Sequence, residues 1–453
     1  MSVVESRSPQ NPADVVASVT AAGGQGVAEA VRRARAAQGR WAGANAARRA
    51  TVLAEAAEAV AAAADELGSL IVREVGKPVT EAAGEVARSV AILRYYSQQV
   101  FDPIGAMHEP SGVGLAYTRR RPRGVAGLIT PWNFPLAIPL WKAAPALAFG
   151  NAVVLKPAPQ ALGCALRLAE LLGVPDDLFQ VVPGDAEEGA ALIEAADVVS
   201  FTGSAAVGRK VSVAAAGRGV QVQAEMGGQN ASIVLDDANL EAAAAQIAAA
   251  AFGYAGQKCT ATKRVITVGN AGEVREALVA AVAKLGVGDP ADPGTAVGPL
   301  IEEAARDRVV SAAAGGRVLT GGEALDRDGW FAAPTLVDGV PADHVLARDE
   351  VFGPICLVQD AGSVDEAVAL ANGVRYGLAS AVYTRDLDRA LDVSARLETG
   401  LVKVNNPTSG VDFYLPFGGE KDSSYGPREQ GKAAQDFYTS THTVALGPAG
   451  GRL

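Results

Sequence analysis

One cysteine stands in a setting that suits chemistry. In "FGYAGQKCTATKR", residues 252–264, small and polar residues surround Cys259, one of three cysteines in the chain. A nucleophilic thiol needs access and an activating neighbour, and sequence shows neither. Upstream, "QAEMGGQN" sets Glu225 at the end of an apolar run beside Gly227 and Gly228, where a carboxylate could serve as a general base. "TPWNFP" holds Asn133 between an aromatic residue and a Phe-Pro turn; a buried amide there could donate to a developing oxyanion. "FTGSAAVG" carries Gly203 and Gly208 after an apolar strand, a turn that can offer backbone N–H groups to a phosphate. Each has a plainer reading: a structural cysteine, a solvated glutamate, a turn asparagine, an ordinary strand–helix turn. The P-loop pattern fails because no Lys follows, and GxGxxG is absent.

The elements that must hold these residues follow from texture. Residues 25–66 and 78–100 are rich in Ala, Arg and Glu with few breakers, and predict amphipathic helices. From 124 to 235 short apolar strands ("GVAGLIT", "NAVVLKP", "FQVVPGD", "DVVSFTGS") alternate with helices. A second such run covers 236–420, with strands "RVITVG", "PICLVQD" and "LVKVNN". This predicts an α/β protein of two doubly wound, open, mostly parallel sheets, one a Rossmann-like cofactor domain and the other catalytic. The expected division is 1–105 with 123–227 for the cofactor domain and 228–430 for the catalytic domain. "GLAYTRRRPR" (114–123) and "TSTHTVAL" (439–446) alternate like strands outside both runs and are expected to pair with each other or with another subunit. They place a small β oligomerisation arm and tail at 106–122 and 431–453.

Composition narrows the function. The net charge of −10 disfavours nucleic acid as a partner. Three scattered cysteines and three histidines give neither a disulfide framework nor a metal site, and fit a reducing compartment. The first residues lack an apolar signal-type core, and the Ala-rich stretches are too polar to span a membrane. The expectation is a cytoplasmic enzyme.

Taken in order, "PWNFP", "LKPA", "FTGS", "EMGGQN", "GQKCTA", "DEVFGP" and "PFGGEK" resemble the NAD(P)-dependent aldehyde dehydrogenase superfamily over residues 124–432. The resemblance implies that Cys259 is the nucleophile that forms a thiohemiacetal and then a thioester. It makes Asn133 and the Cys259 N–H the oxyanion hole, and Glu225 the base for hydrolysis. Lys142 and Glu429 match proton-relay positions behind that base. Acylating members generally lack the glutamate, so a free acid is the expected product. For the cofactor, Lys156 would hold the adenosine ribose, Gly203 and Ser204 would lie beneath the pyrophosphate, and Glu350 would bind the nicotinamide ribose beside Phe352. Thr130, Pro131, Trp132, Pro159, Gly208, Met226 and Gly227 complete the expected cofactor set. Phe134, Trp141, Lys258, Thr260, Ser409 and Phe417 are expected to line the substrate pocket.

Two departures refine the resemblance. NAD-preferring members often carry Glu where "LKPAPQ" has Pro159; without that carboxylate NADP is favoured, with NAD as the other choice. "SSYGPREQG" (423–431), "NNPTSGVD" (405–412) and "QKCTAT" look most like the branch oxidising 2,5-dioxopentanoate to 2-oxoglutarate. Succinic, aromatic, betaine and phosphonate aldehydes are the alternatives. An anionic substrate needs cations or N–H groups, for which Lys258, Arg264 and the 406–413 loop are candidates. The assembly expected is a homodimer or homotetramer. Two other classes compete: a thiol acyltransferase without nucleotide, which would not need "FTGS" or "DEVFGP", and a non-catalytic protein of this fold, which would not need Cys259 with Glu225.

Overall fold

A computed structural model describes residues 2–112 and 114–447. The last part of the expected tail, 448–453, lies outside the described residues.

The alanine-rich start folds as four helices, Gly23–Ala42, Ala46–Ala62, Ala64–Val75 and Val79–Gln99. In the first, Val27, Ala30, Val31, Ala34, Ala37 and Trp41 recur every three or four residues and are buried, as an amphipathic helix requires. Asn45 caps the second, its side-chain oxygen accepting from the Arg48 N–H at 2.8 Å. Gly76 ends the third in the left-handed region, φ 65°.

Before these helices lies a hairpin that the sequence reading missed: Val3–Ser8 pairs antiparallel with Asn11–Thr20. Its first strand buries Val4, Ser6 and Ser8. Two of the three inward residues are serines, so no apolar alternation betrays the strand. Ser6 donates to the buried Glu74 carboxylate at 2.5 Å.

Six strands form the first large sheet, in the order Ser424–Tyr425, Gln221–Glu225, Val198–Thr202, Val125–Thr130, Ala152–Pro157 and Phe179–Val181. All pairs are parallel except the first. The chain runs outward from Val125–Thr130 on one side and returns at Val198–Thr202 on the other. A crevice therefore opens beyond Thr130 and Thr202, the usual ligand position in such sheets.

The second sheet has seven strands: Arg317–Thr320, Thr335–Asp338, Ile355–Ala361, Arg264–Val268, Ala231–Val234, Ala379–Tyr383 and Leu401–Val404. Only its first pair is antiparallel. Glu225 ends a strand of the first sheet, five residues later the chain has entered the second at Asn230–Ala231, and Cys259 sits on the loop entering Arg264–Val268. The two sheets thus present their functional ends to each other. The segments outside both runs do pair: Thr439–Leu446 lies antiparallel on Leu115–Pro122, which also carries Gly105–His108.

One buried ion pair ties the helical layer to this arrangement. Glu85 of helix Val79–Gln99 accepts from the N–H groups of Leu136 (2.9 Å) and Ala137 (3.0 Å), where helix Ala137–Ala148 begins. Its other oxygen pairs with the fully buried Lys77. The Lys77 ammonium also lies over the Phe134 ring, 3.7 Å from its centre. Burial lowers the Lys77 pKa and Glu85 opposes that. Removing one partner strands a buried charge at about 3–5 kcal/mol, whereas replacing both with apolar groups costs far less. Glu85→Leu is therefore expected to lower the thermal midpoint steeply, and Lys77→Met combined with it to restore part of the loss. Calorimetric scans check this, and a double variant no better than the single would contradict it.

Candidate active site

The crevice is a cleft of about 320 Å³. Its walls include Pro131, Trp132, Asn133, Thr202, Gly203, Ser204, Met226, Gly227, Cys259, Glu350 and Phe352, most of the residues expected around a cofactor. Ser204 is the N-cap of helix Ala205–Gly217, its hydroxyl accepting from the Val207 N–H at 3.4 Å. The free N–H groups and positive end of that helix face the cleft, a setting for a pyrophosphate. The hydroxyls of Thr130 and Thr202 are buried without partners. Lys156 is buried at the end of its strand, its ammonium donating only to the Gly184 carbonyl at 3.2 Å. Pro159 opens the short turn that follows. A Cβ at Gly227 would lie 1.8 Å from a Glu350 oxygen, so any side chain there would displace that carboxylate. Gly208 is placed differently from expectation. It is buried in the helix, and a Cβ there would meet Met226 Sδ at 2.5 Å, so it makes room for that side chain. Phe352 adopts φ 56° and meets Trp132 edge-on, ring centres 5.8 Å apart. A groove with a helix terminus, orphaned hydroxyls and a buried lysine fits a dinucleotide.

Cys259 and Asn133, expected from the sequence to react, lie in this cleft, with Glu225 nearby. The approach to Cys259 is kinked: Tyr254 (φ 55°), Ala255 (φ 51°) and Gly256 (φ 63°) are all left-handed. Asn230 then fixes the loop, its amide donating to the carbonyls of Cys259 (2.8 Å) and Ala261 (2.7 Å) and accepting from the Ala379 N–H (3.0 Å). Asn133 is buried beside it and donates one N–H to the Gln257 carbonyl at 2.9 Å, leaving the other available. The Cys259 thiol is partly exposed, but its acidity is suppressed. Burial, then the charges of Glu350 and Glu225, push it up to about 12. Glu225 is buried and accepts from the Ser424 hydroxyl at 2.5 Å. Burial, then the Glu429 charge, raises its pKa well above the usual carboxylate range. Lys142 donates to Ser200 Oγ at 2.8 Å and pairs with Glu429, and the Ser200 hydroxyl also contacts Glu429 at 3.2 Å. The expected relay residues are thus together, behind Glu225.

Beyond the thiol from the cleft, Cys259 packs against the cluster of Leu378, Val411 and Phe417. Trp141 lies 5.7 Å from the Phe417 ring. Thr260 is buried, and Ser409 is half-buried next to Thr408, whose hydroxyl bonds that of Thr262 at 2.9 Å. Two expected anion contacts are not free. Lys258 turns away to Glu81, at 2.7 Å. Arg264 is buried with its fork on the carbonyls of Gln229, Leu370 and Ala371. Adjacency to a cysteine in sequence says nothing about which way a side chain points.

Several contributors escaped the sequence reading. Ser424 gives no signal beyond lying in a Gly-rich loop. Gln160, Glu302 and Arg308 line the cleft without any motif. Lys263 donates to the carbonyls of Gly256 and Gly353 at 2.6 and 3.1 Å, bracing both the cysteine loop and the Phe352 turn.

Comparison with known proteins agrees with this geometry. The pattern of the aldehyde dehydrogenase family matches residues 2–444. The alpha-ketoglutaric semialdehyde dehydrogenase of Bacillus subtilis (strain 168) is 38% identical, over 97% of this chain and 94% of its own. The alpha-ketoglutarate semialdehyde dehydrogenase of Haloferax volcanii is 40% identical, over 97% and 95%. Among solved structures, an NAD-dependent aldehyde dehydrogenase from Sinorhizobium meliloti superposes with TM-score 0.95 at 36% identity, covering 99% of this chain and 92% of that one. An NADP-dependent enzyme from E. coli gives 0.95 at 34%, covering 99% and 95%. The chain belongs to the aldehyde dehydrogenase family. It is an NAD(P)-dependent oxidoreductase that oxidises aldehydes. No helix among the described residues is long and apolar enough to cross a membrane.

With its thiol held protonated by burial and two carboxylates, the free enzyme should alkylate slowly at neutral pH. Iodoacetamide modification at Cys259 is expected to rise about tenfold per pH unit, without levelling off before about pH 10. Cys164 and Cys356 are fully buried and should stay silent. Mass spectrometry of the modified peptides reads this, and a plateau near neutrality would contradict it.

Proposed function

We propose that the chain converts 2,5-dioxopentanoate to 2-oxoglutarate, hydrolytically, and that NADP serves better than NAD. The observation supporting the chemistry is that Cys259 and Asn133, from separate elements, line one cleft, and that the buried Glu225 lies near enough for its charge to act on the thiol. The Cys259 sulfur attacks the aldehyde carbon while its thiol proton passes to Glu225 and on through Lys142 and Glu429 toward solvent. The Asn133 amide and the Cys259 N–H receive the oxyanion, each donor worth roughly 3 kcal/mol. A bound nicotinamide supplies hydride acceptance, and Cys259 then carries the acyl group as a thioester. Glu225, its affinity for protons raised by burial, takes a proton from the attacking water. Glu225 returns that proton to the departing Cys259 sulfur, which leaves as the free thiol, with Lys142 and Glu429 standing behind the base.

For the cofactor, Lys156 would hold the adenosine ribose, Gly203 and Ser204 the pyrophosphate, and Glu350 the second ribose, with Trp132 and Phe352 beside the nicotinamide. Burial sets Glu350 at about 7. NADP is favoured because Pro159 puts no carboxylate against a 2′-phosphate. Nearby, Glu188 is engaged by the N–H groups of Gly23 (3.1 Å) and Asp185 (2.8 Å). The substrate reading is supported by the loop sequences shared with the dioxopentanoate branch and by the two semialdehyde dehydrogenases of similar sequence. Phe134, Trp141, Thr260, Ser409 and Phe417 would surround it. The arm 106–122 with the tail would join subunits into a homodimer or homotetramer; its edge strand Gly105–His108 exposes Met107 and leaves backbone groups to pair. Three free thiols suit the reducing cytoplasm.

Cys259→Ala is expected to abolish aldehyde oxidation while nucleotide still quenches the intrinsic fluorescence. Turnover above a few per cent would refute the nucleophile. Glu225→Gln should retain a pre-steady-state burst of reduced nucleotide while steady turnover falls about 100-fold or more; loss of burst and turnover together would remove the base assignment. A panel of aldehydes run with both nucleotides tests the substrate, and a neutral or cationic aldehyde preferred over 2,5-dioxopentanoate would overturn that part.

A further inference from the structure

A carboxylated substrate needs a cation, and most of those near Cys259 are already held. Lys77 and Lys258 are paired with Glu85 and Glu81. Lys263 and Arg264 donate to backbone carbonyls. Lys142 is paired with Glu429.

Arg88 differs from all of these. It lies on helix Val79–Gln99, three residues beyond Glu85, and is half-buried. Its guanidinium carbon is 5.9 Å from the centre of the Trp141 ring. One terminal nitrogen reaches Gln430 Oε1 at 3.4 Å. Its Nε is buried and makes no hydrogen bond. Arg88 forms no ion pair among the described residues; the charges acting on it from farther off are those of Asp412, Glu85 and Cys259 itself.

Its surroundings place it on the substrate side of the thiol. Trp141 adjoins Phe417, and Cys259 packs on the cluster that Phe417 forms with Leu378 and Val411. Residues at helical spacing from Arg88, Ile92 and Tyr95, share its face. Tyr95 meets Phe413 edge-on at 5.7 Å, so this face fronts the loop containing Val411, Asp412 and Phe413. The nucleotide cleft opens on the other side, at Trp132 and Phe352.

We propose that Arg88 is the specificity-determining residue, its guanidinium receiving the substrate carboxylate while the aldehyde carbon meets Cys259. This rests on the reading of the substrate as a short aldehyde with a carboxylate at its far end. The Trp141 face orients the planar fork, and its unpaired N–H groups match a carboxylate in a partly dry site. Asp412 is exposed on the facing loop, and its charge acts on Arg88 without forming an ion pair.

The test compares kcat/KM for 2,5-dioxopentanoate and succinic semialdehyde with that for butanal and pentanal, in wild type, Arg88→Gln and Arg88→Lys. Arg88→Gln is expected to lower the value for both carboxylated aldehydes about 100-fold, mostly through KM, and to leave the neutral ones within about threefold. Arg88→Lys should fall between, since a point charge replaces a fork. Nucleotide binding and thermal midpoint report folding. Equal losses on charged and neutral aldehydes, or no loss on the charged ones, would overturn the role of Arg88 and leave the substrate reading standing. A wild type that shows no preference for carboxylated aldehydes would overturn both. Should Arg88→Gln not fold, Arg88→Lys decides alone: unchanged selectivity in it overturns the proposal.

Discussion

Everything at this site depends on one crossing of the chain between the sheets. Cys259 belongs to the loop before a strand of the seven-stranded sheet, and Glu225 ends a strand of the six-stranded one. The segment from Phe417 to Gln430 leaves the seven-stranded side and adds Ser424–Tyr425 to the edge of the other sheet, opposite Glu225 and Ala224. Ser423 ties the junction: its carbonyl accepts from the Met226 N–H at 2.8 Å, and its hydroxyl donates to the Gly227 carbonyl at 2.8 Å and accepts from the Gly377 N–H at 3.0 Å. The same segment supplies Phe417 to the cluster on which Cys259 packs, Ser424 to Glu225 and Glu429 to Lys142. A shift of this segment would move the surroundings of Cys259, Glu225 and Lys142 together.

The second constraint is electrostatic. Removing a carboxylate or thiolate from water raises its pKa, and here burial outweighs every neighbour at Cys259, Glu225 and Glu350. The negative charges add to one another: Glu350 and Glu225 both disfavour the thiolate, and Glu429 disfavours ionised Glu225. Compensation comes from fixed partners at the periphery. Lys263, lowered by burial to about 8, opposes the rise at Glu350, and Lys142 does so at Glu225. The arrangement disfavours the ionised form at each of the three groups, so each holds its proton more tightly than the free side chain does.

What could be read from sequence divides by physical kind. Alternating apolar strands and alanine-rich helices encode the two sheets, because burial on both faces forces continuous apolar runs such as Val125–Thr130 and Ala152–Pro157. The motif order around Asn133, Glu225, Cys259 and Glu350 marks residues that the fold gathers from far apart. Hidden were contacts set by orientation alone. Lys258 and Arg264 flank the cysteine loop yet point to Glu81 and to carbonyls. Arg88 and Glu85 sit in an ordinary helical stretch, and only packing against Trp141 and Leu136 distinguishes them. The N-terminal hairpin was illegible because its inward face is mostly serine, satisfied by Glu74.

Chemistry and selectivity are therefore carried by different parts of the chain. Cys259, Asn133 and Glu225 stand on strand ends and on loops pinned by buried hydrogen bonds, where Asn230 and Ser423 leave little freedom. The wall to which the substrate is proposed to bind comes from a helix face and a loop whose Asp412 and Tyr414 are exposed. The exposed Asp412 and Tyr414 bond to none of Cys259, Asn133 and Glu225, whereas Val411 on the same loop belongs to the cluster on which Cys259 packs. A pinned centre beside a partly exposed wall explains why the reaction class is legible from short motifs while the substrate is not. The motifs lie in the pinned part, and the side chains that meet the rest of the substrate come from elements with no fixed pattern.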